Sequence, residues 1–410
     1  MSQIVTSGAN FATTIIIVRS LGLEAFGRFS VCFLLMMITR SFLNGMVLLP
    51  MSTVGPKLSA ISRPAYIGFL AVNGLAFSLF SSLLLVLLTV PLGIALNAPW
   101  LPTLGLSFAL ANFTSNGSDF LRRYHFVYEA PVWACAVDIV RFAVQIVLLV
   151  LLMTFWRPVF SVDTALYAVA TGGLIGGLLG ALNYGRISWS WRLIRVTWPR
   201  HWNFIKWMTP NVALEVTQNS GLVLLGGAYL GETALGGVRA MQNLANIINL
   251  PFNSLQQIAP SLASRAFKNG GRAGMRRFLT IMAGWSLAAV LTISVGVLSL
   301  AGPLIKGLLD LPVDENLPIL LLFCLMNALI ALRFPITVGI QSIEKPAVLV
   351  SSAIFSATVG LASVVLLANS VGAISIPISR VLVVLTSFFM LLYLSRHHLG
   401  SSRRGGIPWL

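Results

Sequence analysis

A chain of 410 residues with 57% hydrophobic and 9% charged side chains cannot coat a water-facing surface, because soluble domains carry about 25% charged residues. Its formal net charge of +16 would suit nucleic acid, but the Lys and Arg are split among many short segments instead of forming one patch, which excludes that class. Apolar runs long enough to cross a roughly 30 Å hydrocarbon core recur along nearly the whole length, and their continuity excludes the alternating pattern of a β-barrel.

Transmembrane helices are expected at about 2–18, 26–50, 66–96, 99–119, 131–156, 164–184, 208–230, 236–260, 278–302, 318–340, 346–369 and 371–394. The first is short and rich in Ser, Thr and Asn, and no basic n-region or small-residue cleavage site precedes it, so a retained span is expected rather than a signal peptide. "RSLGLEAFGRFSV", residues 19–31, joins it to span two, with Gly22 and Gly27 available for a turn and Arg19 and Arg28 placed to snorkel at the interface. Span two holds Arg40 near mid-depth with Asn44 one turn on, and span four carries Asn112, Ser115, Asn116 and Asp119 on one helical face. In span five Asp138 and Arg141 stand three apart, where they either neutralise one another or serve transport. Gly172, Gly176 and Gly180 in span six recur every four residues and are read as a close-packing stripe.

The polar stretch Asn183 to Lys206 mixes Arg with Trp189, Trp191, Trp198 and Trp202, which suits a segment on the cytoplasmic membrane surface. Span seven carries Glu215 beside Gln218 and Asn219. A carboxyl there either exchanges the coupling ion or is a satisfied core group. In span eight Asn243, Asn246, Asn249, Asn253 and Gln256 or Gln257 recur at spacings of three and four, the pattern of one amide face looking at water, glycan or a partner helix. Pro251 and Pro335 are expected to kink their helices. Arg333 in span ten and Arg380 in span twelve, like Arg40, are costly at membrane depth. Each is read as meeting an anionic substrate, with an ion pair or snorkelling as the alternative.

Most of the 27 Lys and Arg fall in segments that are cytoplasmic if the N-terminus is cytoplasmic, which sets both termini inside by the positive-inside rule and directs the remaining charge at anionic lipid. The midpoint also marks a duplication: "LGLEAFGRF" from Leu21 and "LGETALGGV" from Leu230 agree at a constant offset of 209, and "GPKLSA" from Gly55 echoes "APSLAS" from Ala259. Six spans on each side make the copies parallel, two lobes about a central cavity that rock in alternating access. The expected fold is thus all-α and polytopic, with lobes at 1–184 and 208–395, a basic Trp-rich inter-lobe segment at 185–207 and a basic cytoplasmic tail at 396–410.

Neither a P-loop, GxSxG nor HExxH occurs. Cys32, Cys135 and Cys324 are isolated in apolar segments, and His125, His201, His397 and His398 lack acidic or Cys partners, so no metal site or cofactor is expected. An integral-membrane glycosyltransferase or polymerase is the enzymatic rival. It would be expected to carry a larger outer loop than any here, so the chain is read as a transporter and not an enzyme.

Three stretches carry a family resemblance: "SGANFATTIIIVRSLGLEAFGRFSV", "DFLRRYHFVYEAPVWACAVDIVR" and "GGVRAMQNLANIINLPFNSLQQIAPSLASR". The chain resembles the bacterial O-antigen and exopolysaccharide flippases of the multidrug/oligosaccharidyl-lipid/polysaccharide exporter superfamily. The resemblance implies a bacterial inner-membrane carrier that turns an undecaprenyl-pyrophosphate-linked oligosaccharide to the outer leaflet, driven by a gradient of H+ or Na+. It implies a cationic cavity for the pyrophosphate, in agreement with the reading of Arg40, Arg141, Arg333 and Arg380, and a polysaccharide polymerase and other assembly proteins as partners. Asn44 and the amides of span eight join those arginines as substrate contacts, while Glu215, Asp138 and Asp119 are the acids available for ion coupling. A multidrug or small-solute antiporter of the same superfamily is the alternative.

Overall fold

The computed structural model describes residues 2–53, 58, 62–95, 97–128, 130–185, 188–342 and 346–400. Helices and short connections account for them, with no strand among the described residues. The chain is a multi-pass membrane protein. Seven described stretches are long and apolar enough to cross a bilayer, and two of them, Val5–Ser52 and Leu349–Tyr393, run to 48 and 45 residues, roughly twice the length of one crossing. The chain divides into two compact units, Met1–Val216 and Thr217–Leu410.

The first unit opens with α1 (Ser2–Leu43), which folds at Gly22, where φ is 86° and ψ 175°. That combination is essentially closed to residues with a Cβ. A Cβ added at Gly22 would meet nothing within 4 Å, so conformation and not space demands the glycine. Gly27 lies inside regular helix, so Gly22 carries the turn by itself. A π turn, Asn44–Leu48, and the short α2 (Leu49–Thr53) follow. Then come α3 (Ser62–Ala95), α4 (Gly105–Val127), α5 (Pro131–Phe155), α6 (Val162–Leu182) and α7 (Trp191–Val216). Along α3, Leu75, Leu79, Leu83 and Leu87 form an exposed i, i+4 row, the face expected toward lipid tails. α4 is too polar to be among the seven apolar stretches, and it packs against α3, α5 and α6 with its polar residues turned into the unit.

The α6 glycines do the packing expected of them. A Cβ on Gly172 would lie 2.5 Å from the Arg141 carbonyl oxygen, and one on Gly176 2.8 Å from the Arg141 Cβ. The α5 backbone therefore sits where only glycine leaves room. Below this contact, Leu43, Met51, Tyr66, Ile67, Leu70, Phe120 and Tyr124 form an apolar core.

The Trp-rich stretch and the start of span seven are one helix, α7, which runs through Pro199 and Pro210. Ile194, Thr197, His201 and Ile205 are its buried stripe, and it packs on α3. The Tyr66 hydroxyl lies 3.1 Å from His201 Nδ1, and Phe69 meets the rings of His201 and Trp198 edge-on. Trp191, Trp198, Trp202, Arg192 and Arg195 remain exposed. Burial without a charge partner pushes the His201 pKa down to about 4, so the imidazole is neutral near pH 7.

The second unit begins with a π turn, Thr217–Gly221, followed by α8 (Leu222–Leu230) and α9 (Glu232–Ala245). Gly231 between them has φ 82° and ψ 176°, nearly the values of Gly22. The two glycines occupy matched places at the repeat offset of 209, so the duplicated sequence folds into a duplicated turn. α10 (Leu250–Ser299) bends at Gly271, and α11 (Val313–Ser342), α12 (Pro346–Val371) and α13 (Ser375–Gly400) complete the unit. Leu222, Val364 and Val383 make one core cluster, and Ile336, Ile340 and Leu391 another.

Span eight departs from the sequence reading. A 3-10 turn, Asn246–Asn249, separates α9 from α10, and its tighter winding rotates the residues beyond it relative to a continuous α-helix. The amides therefore do not share one unbroken helical face. Pro251 sits in the first turn of α10 instead of kinking a helix interior. No intrahelical partner is needed for its missing N–H there. Pro335 lies within α11, which continues past it. The side chains of Asn253, Gln256 and Gln257 lie outside those described, as do most of the Gly55–Ala60 echo and residues 401–410 of the tail.

Candidate functional site

The four polar residues of α4 face inward, and each has a distinct place. Asn112 donates to the hydroxyls of Ser81 and Ser82 on α3 at 3.1 and 2.9 Å and accepts from Thr39 on α1 at 2.6 Å. One amide thereby ties three helices together. Ser115 and Asn116 are buried on the same face. One turn further, Asp119 is 1% exposed and is the centre of an arginine cluster.

Arg40, at the end of α1, grips Asp119 with two nitrogens, Nε to Oδ2 at 2.7 Å and Nη2 to Oδ1 at 2.9 Å. The Nη2 contact is a hydrogen bond, and the Nε contact is an ion pair without hydrogen-bond alignment. Arg141 Nη1 reaches Asp119 Oδ1 at 3.2 Å and Arg122 Nη2 stands 3.7 Å from the same oxygen. Arg122 also reaches Asp138 at 3.3 Å, and Arg123 donates to Asn44 at 3.3 Å. Asp138 and Arg141, three apart on α5, also reach partners on α4. Of the residues read from sequence, Arg40, Asn44, Arg141, Asp119 and Asp138 come together here.

Arg122 and Arg123, beyond the expected end of span four at 119, are members of the cluster. The signal was available: Arg122 lies three residues from Asp119, on the same face of α4. Three guanidiniums, those of Arg40, Arg122 and Arg141, meet the carboxylates of Asp119 and Asp138, and Arg123 stands beside them on the Asn44 amide, so arginines outnumber acids among these residues. Such a surplus attracts an anion strongly.

The second unit holds arginines of another kind. Arg380 on α13 is 9% exposed and donates Nη2 to Asn219 Oδ1 at 2.9 Å. Arg239 on α9 is equally buried, donates to Gln242 at 2.7 Å, and lies within Coulomb range of Arg380. Arg333 on α11 donates to the Ser387 hydroxyl at 3.0 Å. These three hydrogen bonds go to neutral oxygens, whereas Arg40, Arg122 and Arg141 of the first unit meet carboxylates. Arg239, near the expected start of span eight, lies in a run of buried residues with Gly236, Gly237, Val238, Ala240 and Met241. Of the amides of span eight, Asn246 is exposed and Asn243 and Asn249 are half-buried, while Glu215 is exposed near the end of α7. Among the described residues Glu215 makes no ion pair with the Asp119 cluster.

No family profile matches the sequence, and no curated protein does. Solved structures do match, over nearly the whole chain. A lipid II flippase, MurJ, in an inward closed conformation aligns with a TM-score of 0.74 at 11% identity, covering 96% of this chain and 85% of its own. An inward-facing multidrug resistance MATE transporter of the MOP superfamily gives 0.75 at 13%, covering 95% and 93%. The fold is that of the MOP-superfamily transporters. A Vibrio cholerae MATE transporter agrees, with a TM-score of 0.67 at 13% identity over 98% of this chain and 94% of its own. These are transporters and flippases, not enzymes. The MOP fold has twelve helices in two lobes. In this chain the first six crossings are the two arms of α1 with α3, α4, α5 and α6. The next six begin at α7 and α8, continue through α9 with the first arm of α10, and end with the second arm of α10, α11, α12 and α13.

Proposed function

We infer that this MOP-fold protein is a flippase for an undecaprenyl-pyrophosphate-linked oligosaccharide, carrying it from the cytoplasmic to the outer leaflet of the bacterial inner membrane for O-antigen or exopolysaccharide assembly. The observation that carries this reading is the gathering of buried and half-buried guanidinium groups. Among the described residues Arg40, Arg122, Arg123 and Arg141 gather around Asp119 and Asp138, and Arg239, Arg333 and Arg380 donate to the neutral oxygens of Gln242, Ser387 and Asn219. Guanidinium forks match phosphate oxygens two at a time. A carrier of cationic drugs would be expected to show the opposite balance. Alternating access driven by H+ or Na+ completes the scheme, with Glu215 the acid outside the arginine cluster that is available for coupling. A polymerase and other assembly proteins would take the product.

In cells, deletion of the gene should leave lipid-linked repeat units on the cytoplasmic leaflet and deplete surface polymer. A deletion strain with normal polymer and raised drug sensitivity would overturn the reading in favour of a multidrug antiporter.

A further inference from the structure

Asp119 poses a chemical question that the substrate reading leaves open: why would a site for an anion keep an anion of its own? The geometry separates its partners. The Asp119 side chain is 1% exposed and that of Arg141 7%, whereas that of Arg40 is 30% exposed. Arg122 is 17% exposed, so Arg40 is the most exposed of the three arginines that contact Asp119. It is also the arginine nearest to Asp119, with an ion-pair contact at 2.7 Å and a hydrogen bond at 2.9 Å.

Arg40 ends α1 just before the π turn Asn44–Leu48. Wide turns of this kind break the regular helical ladder, and they recur at functional sites. If Arg40 swings to an outside oxyanion, Asp119 is not abandoned, because Arg141 at 3.2 Å and Arg122 at 3.7 Å stay within reach. The exchange swaps one oxyanion for another on Arg40 and strands no buried charge, the outcome that would make it prohibitive.

We propose that Asp119 is an internal counter-ion, holding Arg40 in the empty carrier and yielding it to the substrate's pyrophosphate on binding. This rests on the flippase reading and deepens it. The carboxylate competes with substrate, so it weakens binding and speeds release, and a carrier must let go of what it moves.

The test is titration of the purified protein with farnesyl-pyrophosphoryl-N-acetylglucosamine by calorimetry. Asp119→Asn should bind it at least about tenfold tighter than wild type, the scale of a close charge–charge coupling, and release it more slowly. In an Arg40→Gln background the same change should give no tightening. Asp138→Asn, which alters net charge equally but leaves the Arg40–Asp119 contact intact, should tighten binding far less. Equal tightening by Asp138→Asn and Asp119→Asn, or none by Asp119→Asn, would overturn the proposal. A wild-type protein that binds no such probe would instead refute the substrate reading. Should Asp119→Asn fail to fold, arginine-labelled wild type answers by NMR. The Nε–H resonance that is lost in Arg40→Gln must shift when the probe binds, and a resonance that stays in place with the probe bound contradicts the exchange.

Discussion

Arg40 and His201 show how differently two buried or half-buried polar side chains of one unit are used. Replacing Arg40 by Ala removes the exposed fork while leaving Asp119 near Arg141 and Arg122. Transport should then be abolished while the protein still inserts and purifies, as read by a vesicle assay beside size-exclusion chromatography. Full activity would remove Arg40 from the substrate contacts. His201 is held neutral, its pKa pushed down to about 4 by burial, against an ordinary value near 6.5. The unfolded chain therefore binds a proton there that the folded chain refuses. Stability from this residue is present above about pH 6.5 and is lost as pH falls toward 4. Thermal unfolding in detergent should show a lower midpoint at pH 5 than at pH 7. The drop should shrink in His201→Phe, which keeps a ring against Phe69 and Trp198 but cannot be protonated. An identical drop in that variant would place the pH response elsewhere. Spacing showed that Arg40 was anomalous but could not name its partner, because Asp119 lies 79 residues away in sequence.

The element scale is where periodicity served best and where its reach ended. The fourfold glycines of α6 were legible because close helix approach leaves a direct mark in sequence, and the Leu-Gly hairpins were legible as a repeat because both need glycine at one strained position. Gly22→Ala should cost about 1–3 kcal/mol for forcing a Cβ into that conformation. Gly8→Ala, in regular helix with nothing within 4 Å of an added Cβ, should be neutral or stabilising by up to about 1 kcal/mol. Unfolding midpoints of the two variants check this, and equal effects would mean that the Gly22 turn carries no strain. The amide stripe of span eight reads as one face only if the helix is unbroken, and the 3-10 turn Asn246–Asn249 breaks it. Asn and Pro at neighbouring positions carry that signal, since Pro251 fits a helix start better than a helix interior. The spacing count alone passed over it.

For the whole molecule, composition and run length were enough to give a polytopic helical protein, and the offset of 209 to give its duplication. Neither could show that the two units treat their arginines differently. That asymmetry arises from packing between helices distant in sequence, Arg40 with Asp119 in one unit and Arg380 with Asn219 in the other. It gives the substrate reading its physical content, a carrier whose interior is built for an anion. The most direct measurement is translocation in vesicles. The purified protein would be reconstituted with a fluorescent undecaprenyl-pyrophosphoryl oligosaccharide, and its transfer between leaflets followed by a membrane-impermeant quencher under an imposed proton or sodium gradient. The account predicts gradient-dependent flipping that Arg40→Ala abolishes and that cationic drugs do not inhibit. Drug transport by the same vesicles, with the lipid-linked sugar left in its original leaflet, would contradict it.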